Sequence, residues 1–171
     1  GNMATEKKSF GEFLIQLGVL TPEQLKKAAQ EQRQGGERLE QTLIRKGYAK
    51  EEVIFQCLAD YFNLPYVDLD TYLIDDQIVK MIPEELARRH TLIPLFKIGN
   101  TLTIAIDNPL NILALDEVRN RIKTDVEIAI STEKKIKKAI DQYYGVGATI
   151  FERTLRQVTA QNTDESSPET P

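Results

Sequence analysis

Cysteine and histidine are nearly missing from this 171-residue sequence, which carries one of each. The lone Cys57 excludes an intramolecular disulfide and suits a reducing cytoplasm, and with His90 it leaves too few soft ligands for a zinc site. Excess positive charge is missing too. Against 26 Asp plus Glu stand 22 Lys plus Arg, for a net charge of -4, which is not the basic footprint of a nucleic-acid binder. No apolar run reaches the length of about 18 residues that crosses a bilayer, and the opening GNMATEKKSF has no apolar stretch of signal-peptide length. Residues 1–8 read as a cloning remnant or flexible N-terminus. The pattern G-x-x-x-x-G-K-[ST] is absent, so this stretch does not hydrolyse a nucleoside triphosphate in the P-loop manner.

Hydrophobic residues at 41% and charged residues at 28% are ordinary globular values, enough to core one domain or two small lobes. A repeat opens the chain. Phe10, Phe13, Leu14, Leu17 and Gly18 fall on one helical face ended by a glycine stop. Thr21, Pro22 and Gln24 then form a capping box leading into Leu25, Ala28, Ala29 and Gln32. Adding 29 to the numbers gives Leu39, Thr42, Leu43, Lys46 and Gly47, then Ile54, Cys57, Leu58 and Tyr61. Each copy predicts a helical hairpin too small to bury its own apolar face, so the two must pack together, with Gly35 and Gly36 turning the chain between them.

The pattern then changes. Leu64–Leu69 (LPYVDL) predicts a short edge strand. Asp75 or Asp76 caps a helix carrying Ile78, Val79 and Ile82, and Pro83 opens another through Leu86. Strands over 92–98 and 101–106 flank Gly99-Asn100, which suits a tight antiparallel hairpin. Leu102, Ile104 and Ile106 alternate with smaller or polar residues, predicting one helix-covered face, with a helix over 112–122 as the cover. Asp125–Ile130 alternates again, and Ser131 is the expected cap of a helix bearing Ile136, Ala139, Ile140 and Tyr143 that stops at Gly145 and Gly147. Beyond, Ile150, Phe151, Leu155 and Val158 suggest an amphipathic segment that packs on the domain or on a partner, and QNTDESSPETP reads as a solvated linker or tail. The expected class is α+β: a duplicated helical lobe over 9–63 and a mixed α/β lobe with an antiparallel hairpin over 64–145, followed by the amphipathic segment and tail over 146–171.

Chemistry-bearing residues are sparse. Gly145-Val146-Gly147 lacks the third glycine of a dinucleotide fingerprint and follows a helix, so it reads as a helix stop. His90 follows Arg88 and Arg89 at a helix C-terminus, where cations complement the dipole. Cys57 lies on an apolar stripe as a buried, inert thiol. Lys134, Lys135, Lys137 and Lys138 form the polar side of an amphipathic helix and read as a solvated face. Glu84, Glu85, Asp116 and Glu117 sit where helix starts and exposed faces carry acids, and no acid, base or nucleophile constellation emerges.

The doubled block SFGEFLIQLGVLTPEQLKKAAQEQ and RLEQTLIRKGYAKEEVIFQCLADY, followed by LPYVDL, IPEELARRHTLIPL, LTIAIDNPLN and IDQYYG, resembles the N-terminal, MshEN-type domain of type II secretion and type IV pilus assembly ATPases over residues 9 to 145. The resemblance implies a non-catalytic docking and regulatory domain. It would precede a hexameric P-loop ATPase and meet the cytoplasmic part of an inner-membrane platform protein, making it cytoplasmic and peripheral to that membrane through its partner. Some members bind cyclic di-GMP through two tandem motifs, and that is the rival reading. The first copy of the motif keeps Gly11, Leu14, Gly18, Leu25 and Gln32, with Phe10 for leucine and Ser9 for arginine, and Ser9 with Glu12 makes a capping box there. The second keeps Arg38, Leu39, Leu43 and Gly47, with Glu40 for glycine, Ile54 for leucine and Tyr61 for glutamine. Two phosphates need cationic or N–H donors, and Glu40 places a like charge where the ligand would lie.

Overall fold

In the computed structural model residues 7–145 are described, so the expectations for residues 1–6 and for everything beyond Gly145 lie outside them. The first lobe contains α1 (Phe10–Gln16), α2 (Pro22–Gly35), α3 (Leu39–Arg45) and α4 (Glu51–Tyr61). The repeat is visible bond by bond. α1 and α3 start and stop 29 residues apart. Gly18 and Gly47 take the left-handed conformation at φ +77° and +76°, and each is followed by a backbone bond closing the turn, Val19 N to Leu14 O and Tyr48 N to Leu43 O, both 3.0 Å. A side chain would be strained there. Both expected capping boxes of the first copy form: Ser9 with Glu12 at 3.1 Å each way, and Thr21 with Gln24 at 3.0 and 3.1 Å. In the second copy Arg38 leads into α3 and only its N–H is capped, by Gln41 Oε1 at 3.2 Å. Leu14, Leu20, Ala28, Leu43, Ile54 and Cys57 form the lobe's core.

The second lobe is built from α5 (Asp76–Val79), α6 (Glu84–His90), β1 (Leu92–Ile98), β2 (Thr101–Ile106), α7 (Ile112–Ile122), β3 (Asp125–Ile130) and α8 (Glu133–Tyr144). The sheet order is β1-β2-β3. β1 and β2 pair antiparallel through the expected Gly99-Asn100 turn, with an irregularity between Pro94 and Phe96. β2 and β3 pair parallel, Thr101 opposite Asp125 through Ile106 opposite Ile130, with α7 in the connection. The result is the expected α+β class, a helical repeat lobe followed by a mixed lobe.

Four local expectations change. The 64–69 segment pairs only at a single bridge, Tyr66 to Ile130, because Pro65 offers no N–H and the Asp68 carboxylate accepts from Asp70 N at 3.0 Å, turning the chain away. Helix α5 is one turn, capped by Asp75, and Ile82 lies beyond it. The cap of α8 is Thr132, whose Oγ1 accepts from Lys135 N at 3.0 Å; Ser131, the residue after β3, still donates its N–H to Ile106 O of β2. Strand β2 is buried on both faces from Leu102 to Ile106, so two layers cover it where one was expected.

Helix α4 joins the lobes. Its Ile54 and Cys57 enter the first core, while Phe55, Leu58 and Ala59 enter the second with the sheet residues. Cys57 is buried, and burial pushes its thiol above the usual range, as an inert thiol requires. Lys134, Lys137 and Lys138 are exposed as the solvated-face reading expects, and Lys135 departs from it. Its ammonium meets Glu52 of α4 and lies 2.8 Å from Asp68 and 3.6 Å from Asp70, so α8 is pinned by charge to α4 and the 68–70 turn. Lys137 and Lys138 pair with Glu133 and Asp70.

Candidate functional site

Where the two repeat copies meet the second lobe, a groove of about 490 Å³ opens. The repeat sends related positions into it: Phe10 and Leu39 begin α1 and α3, while Gln32 and Tyr61 lie toward the ends of α2 and α4. Arg38 and Glu40 flank Leu39, and the loop between β2 and α7 closes the far side with Asn108, Pro109 and Leu110. Tyr61 anchors an aromatic wall, with ring centroids 5.5 Å from Phe10, 5.4 Å from Phe13 and 5.1 Å from Phe62. The Lys7 ammonium lies 4.1 Å over the Tyr61 ring and donates to its carbonyl at 3.0 Å. The rings are tilted to one another by 54° to 86°, and a ring face beside a cation is a surface on which a planar group can stack.

Four of the ten motif residues, Phe10, Gln32, Arg38 and Leu39, line this groove. The other six build the scaffold. Leu14 and Leu43 are fully buried, Gly18 and Gly47 make the turns, and Leu25 packs against the Gly11 backbone, where an added Cβ would stand 2.6 Å from Leu25 Cδ1.

The groove's guanidinium is already occupied. Arg38 Nη1 donates to Glu40 Oε2 at 2.9 Å and to Asp107 O at 3.4 Å, and Nη2 donates to Asp107 Oδ2 at 2.9 Å. Burial pushes the Asp107 carboxyl above the usual aspartate range against the pull of Arg38. Asp107 escaped sequence reading, because it lies 69 residues from its partner and no local pattern joins them. Lys7 and Phe62 were missed likewise. The remaining polar residues have structural partners: His90 Nε2 lies 2.7 Å from Glu117, Glu85 pairs with Arg89 and Arg121, and Glu84 and Asp116 pair with Arg88 and Arg119. Among the described residues no group of three or more His, Cys, Asp or Glu is placed to hold a metal, and no helix is long and apolar enough to cross a membrane.

Fold and groove together define a two-lobed module in which a duplicated helical hairpin is seated on a small mixed sheet. The chain belongs to the MshEN domain family, whose model matches residues 62–150. It is 39% identical to the type IV pilus assembly ATPase PilB of Thermus thermophilus over 82% of this chain and 20% of that protein. To PilB of Myxococcus xanthus it is 29% identical, over 78% and 24%. The chain thus spans about a quarter or less of these relatives' length. Among solved structures, MshE with cdg is similar at 32% identity and a TM-score of 0.73, covering 80% of this chain and 99% of that one. The N-terminal domain of XpsE shares the fold, at 23% identity and a TM-score of 0.66, covering 82% and 100%.

Proposed function

We propose that this chain is the non-catalytic docking and regulatory N-terminal domain of a type IV pilus assembly ATPase or its secretion counterpart, working at the cytoplasmic face of the inner membrane. It joins the motor to the cytoplasmic part of a platform protein, and a hexameric ATPase domain follows it in the whole protein. The observation that carries this reading is an apolar ridge beside the groove: Leu110, Ile112 and Leu113 are 67%, 62% and 79% exposed at the start of α7. Exposed apolar side chains gathered within four residues suit an interaction site. The pilus-ATPase relatives and the missing P-loop support a part that connects and does not catalyse. The test is capture of the platform protein's cytoplasmic fragment by the wild type and by Leu113→Asp. The variant keeps its fold and loses capture. Equal capture by both proteins overturns the ridge as the docking surface, and ATP turnover that survives repurification of the wild type overturns the non-catalytic assignment.

A second reading, a cyclic di-GMP receptor, is favoured by the convergence of Phe10, Gln32, Arg38 and Leu39 on one groove and by the likeness to MshE with cdg. In it Gly11, Leu14, Gly18, Leu25, Leu43 and Gly47 are the supporting positions. The donor set does not fit that ligand as it stands: Ser9 replaces one arginine, and Arg38 already faces two carboxylates. Titration calorimetry with cyclic di-GMP separates the readings, because a receptor gives saturable heat and a docking domain of this construction gives none.

A further inference from the structure

We infer that Glu40 is the specificity residue of the groove, a built-in counter-ion that engages Arg38 and closes the site to phosphate-bearing ligands. The inference rests on the groove of the second reading and leaves the docking reading untouched. Arg38 Nη1 and Glu40 Oε2 are 2.9 Å apart, Arg38 Nη2 and Asp107 Oδ2 also 2.9 Å, and both carboxylate side chains are only 9% exposed. Arg38 is thus held by two carboxylates, Glu40 in the groove lining and Asp107 outside it, and an incoming phosphate must displace a charge-assisted bond to gain the guanidinium. Lys7, the other cation of the lining, is spent on the Tyr61 ring and carbonyl.

Glu40 is held where it is needed. It occupies the second position of α3, where the helix N-terminus favours an acid. The equivalent position of the first copy is Gly11, which carries no side chain and lets Leu25 close in. The counter-ion therefore exists only in the copy that retained an arginine. Arg38 also fastens the start of α3 to Asp107, the residue after β2, so a ligand that recruited it would loosen a tie between the lobes.

Titration calorimetry with cyclic di-GMP is run on the wild type, Glu40→Gly, Glu40→Gln and the double variant R38A/E40G, with folding followed by circular dichroism. The wild type gives no saturable heat. Glu40→Gly and Glu40→Gln each give saturable heat, with a Kd roughly tenfold or more below the highest concentration at which the wild type shows none, and the double variant returns to the wild-type baseline. Glu40→Gln, nearly isosteric, keeps the test alive if glycine unsettles the short helix. Folded single variants that bind no better than the wild type overturn the inference, as does gain in Glu40→Gly alone, which makes the effect one of bulk. Binding retained by the double variant also overturns it, because Arg38 is then not the anchor. A wild type that binds as tightly as Glu40→Gly overturns it while supporting the receptor reading.

Discussion

Tyr144, near the end of α8, sets its hydroxyl 2.8 Å from the Ile82 carbonyl and 3.0 Å from that of Val79. One half-buried hydroxyl thereby shares its single proton between the carbonyls that close α5 and the turn after it. Tyr144→Phe deletes only the oxygen, so the expected cost is about 1 kcal/mol, or a Tm lower by about 3 °C, read by thermal melting. Lys135 is a second such residue. Its side chain is 17% exposed and burial alone would lower its pKa, yet hydrogen bonds to Asp68 and Glu52 raise it on balance. Lys135→Met keeps the stem and strands three acids near one another, so about 1–2 kcal/mol is lost; an unchanged denaturation midpoint would return Lys135 to the solvated face. The sequence could not have shown this. Four lysines on one side of an amphipathic helix look solvated until the fold brings Glu52, Asp68 and Asp70 to one of them.

At the scale of elements, what was legible was whatever is local. The capping boxes, the stops at Gly18 and Gly47, the 29-residue repeat and the Gly99-Asn100 hairpin are each decided locally, and each forms as read. The 64–69 strand and the Ser131 cap went astray because a proline and a continuing sheet bond decided against local propensity. Helix α4 went half-read: its stripe through Ile54 and Cys57 was evident, but a second buried face through Phe55 and Ala59 was not, since a helix shared by two cores shows no single apolar side. That sharing makes a prediction. Phe55, 1% exposed, belongs to the second core, and Phe55→Ala should cost about 3–5 kcal/mol. Ile54→Ala on the opposite core should cost about 2–5 kcal/mol. Because one helix carries both faces, each variant shifts a single transition seen identically by far-UV circular dichroism and by tyrosine fluorescence. Two separated transitions would show that the lobes unfold independently.

For the whole molecule, the groove residues of the repeat were legible and their charge state was not, since Arg38 finds Asp107 only after the second lobe has folded. The same long-range charge placement governs the response to acid. Hydrogen bonds from Lys46 and Arg45 hold the Glu31 carboxyl below its ordinary value of 4.5, and Arg45 does the same to Glu37. Arg121 and Arg89 lower Glu85, His90 and Arg89 lower Glu117, and Lys135 lowers Asp68. For each of these groups the unfolded chain takes up its proton first as pH falls, so the stabilisation is present above the unfolded value and is lost through the folded one. Asp107 runs the other way: burial raises its folded value above 3.8, so the native state takes that proton first and gains from it. The five lowered carboxylates and Asp107 act in opposite senses, and the expected outcome is a urea midpoint that stays level from pH 7 to near 5 and falls below about 4.5, where those five carboxylates lose their partners. Asp107→Asn removes the one opposing contribution, so its midpoint falls more steeply than the wild type over the same acid range. A midpoint that climbs steadily toward pH 3 in the wild type, or parallel curves for the two proteins, would show that these ion pairs do not set the acid stability of the fold.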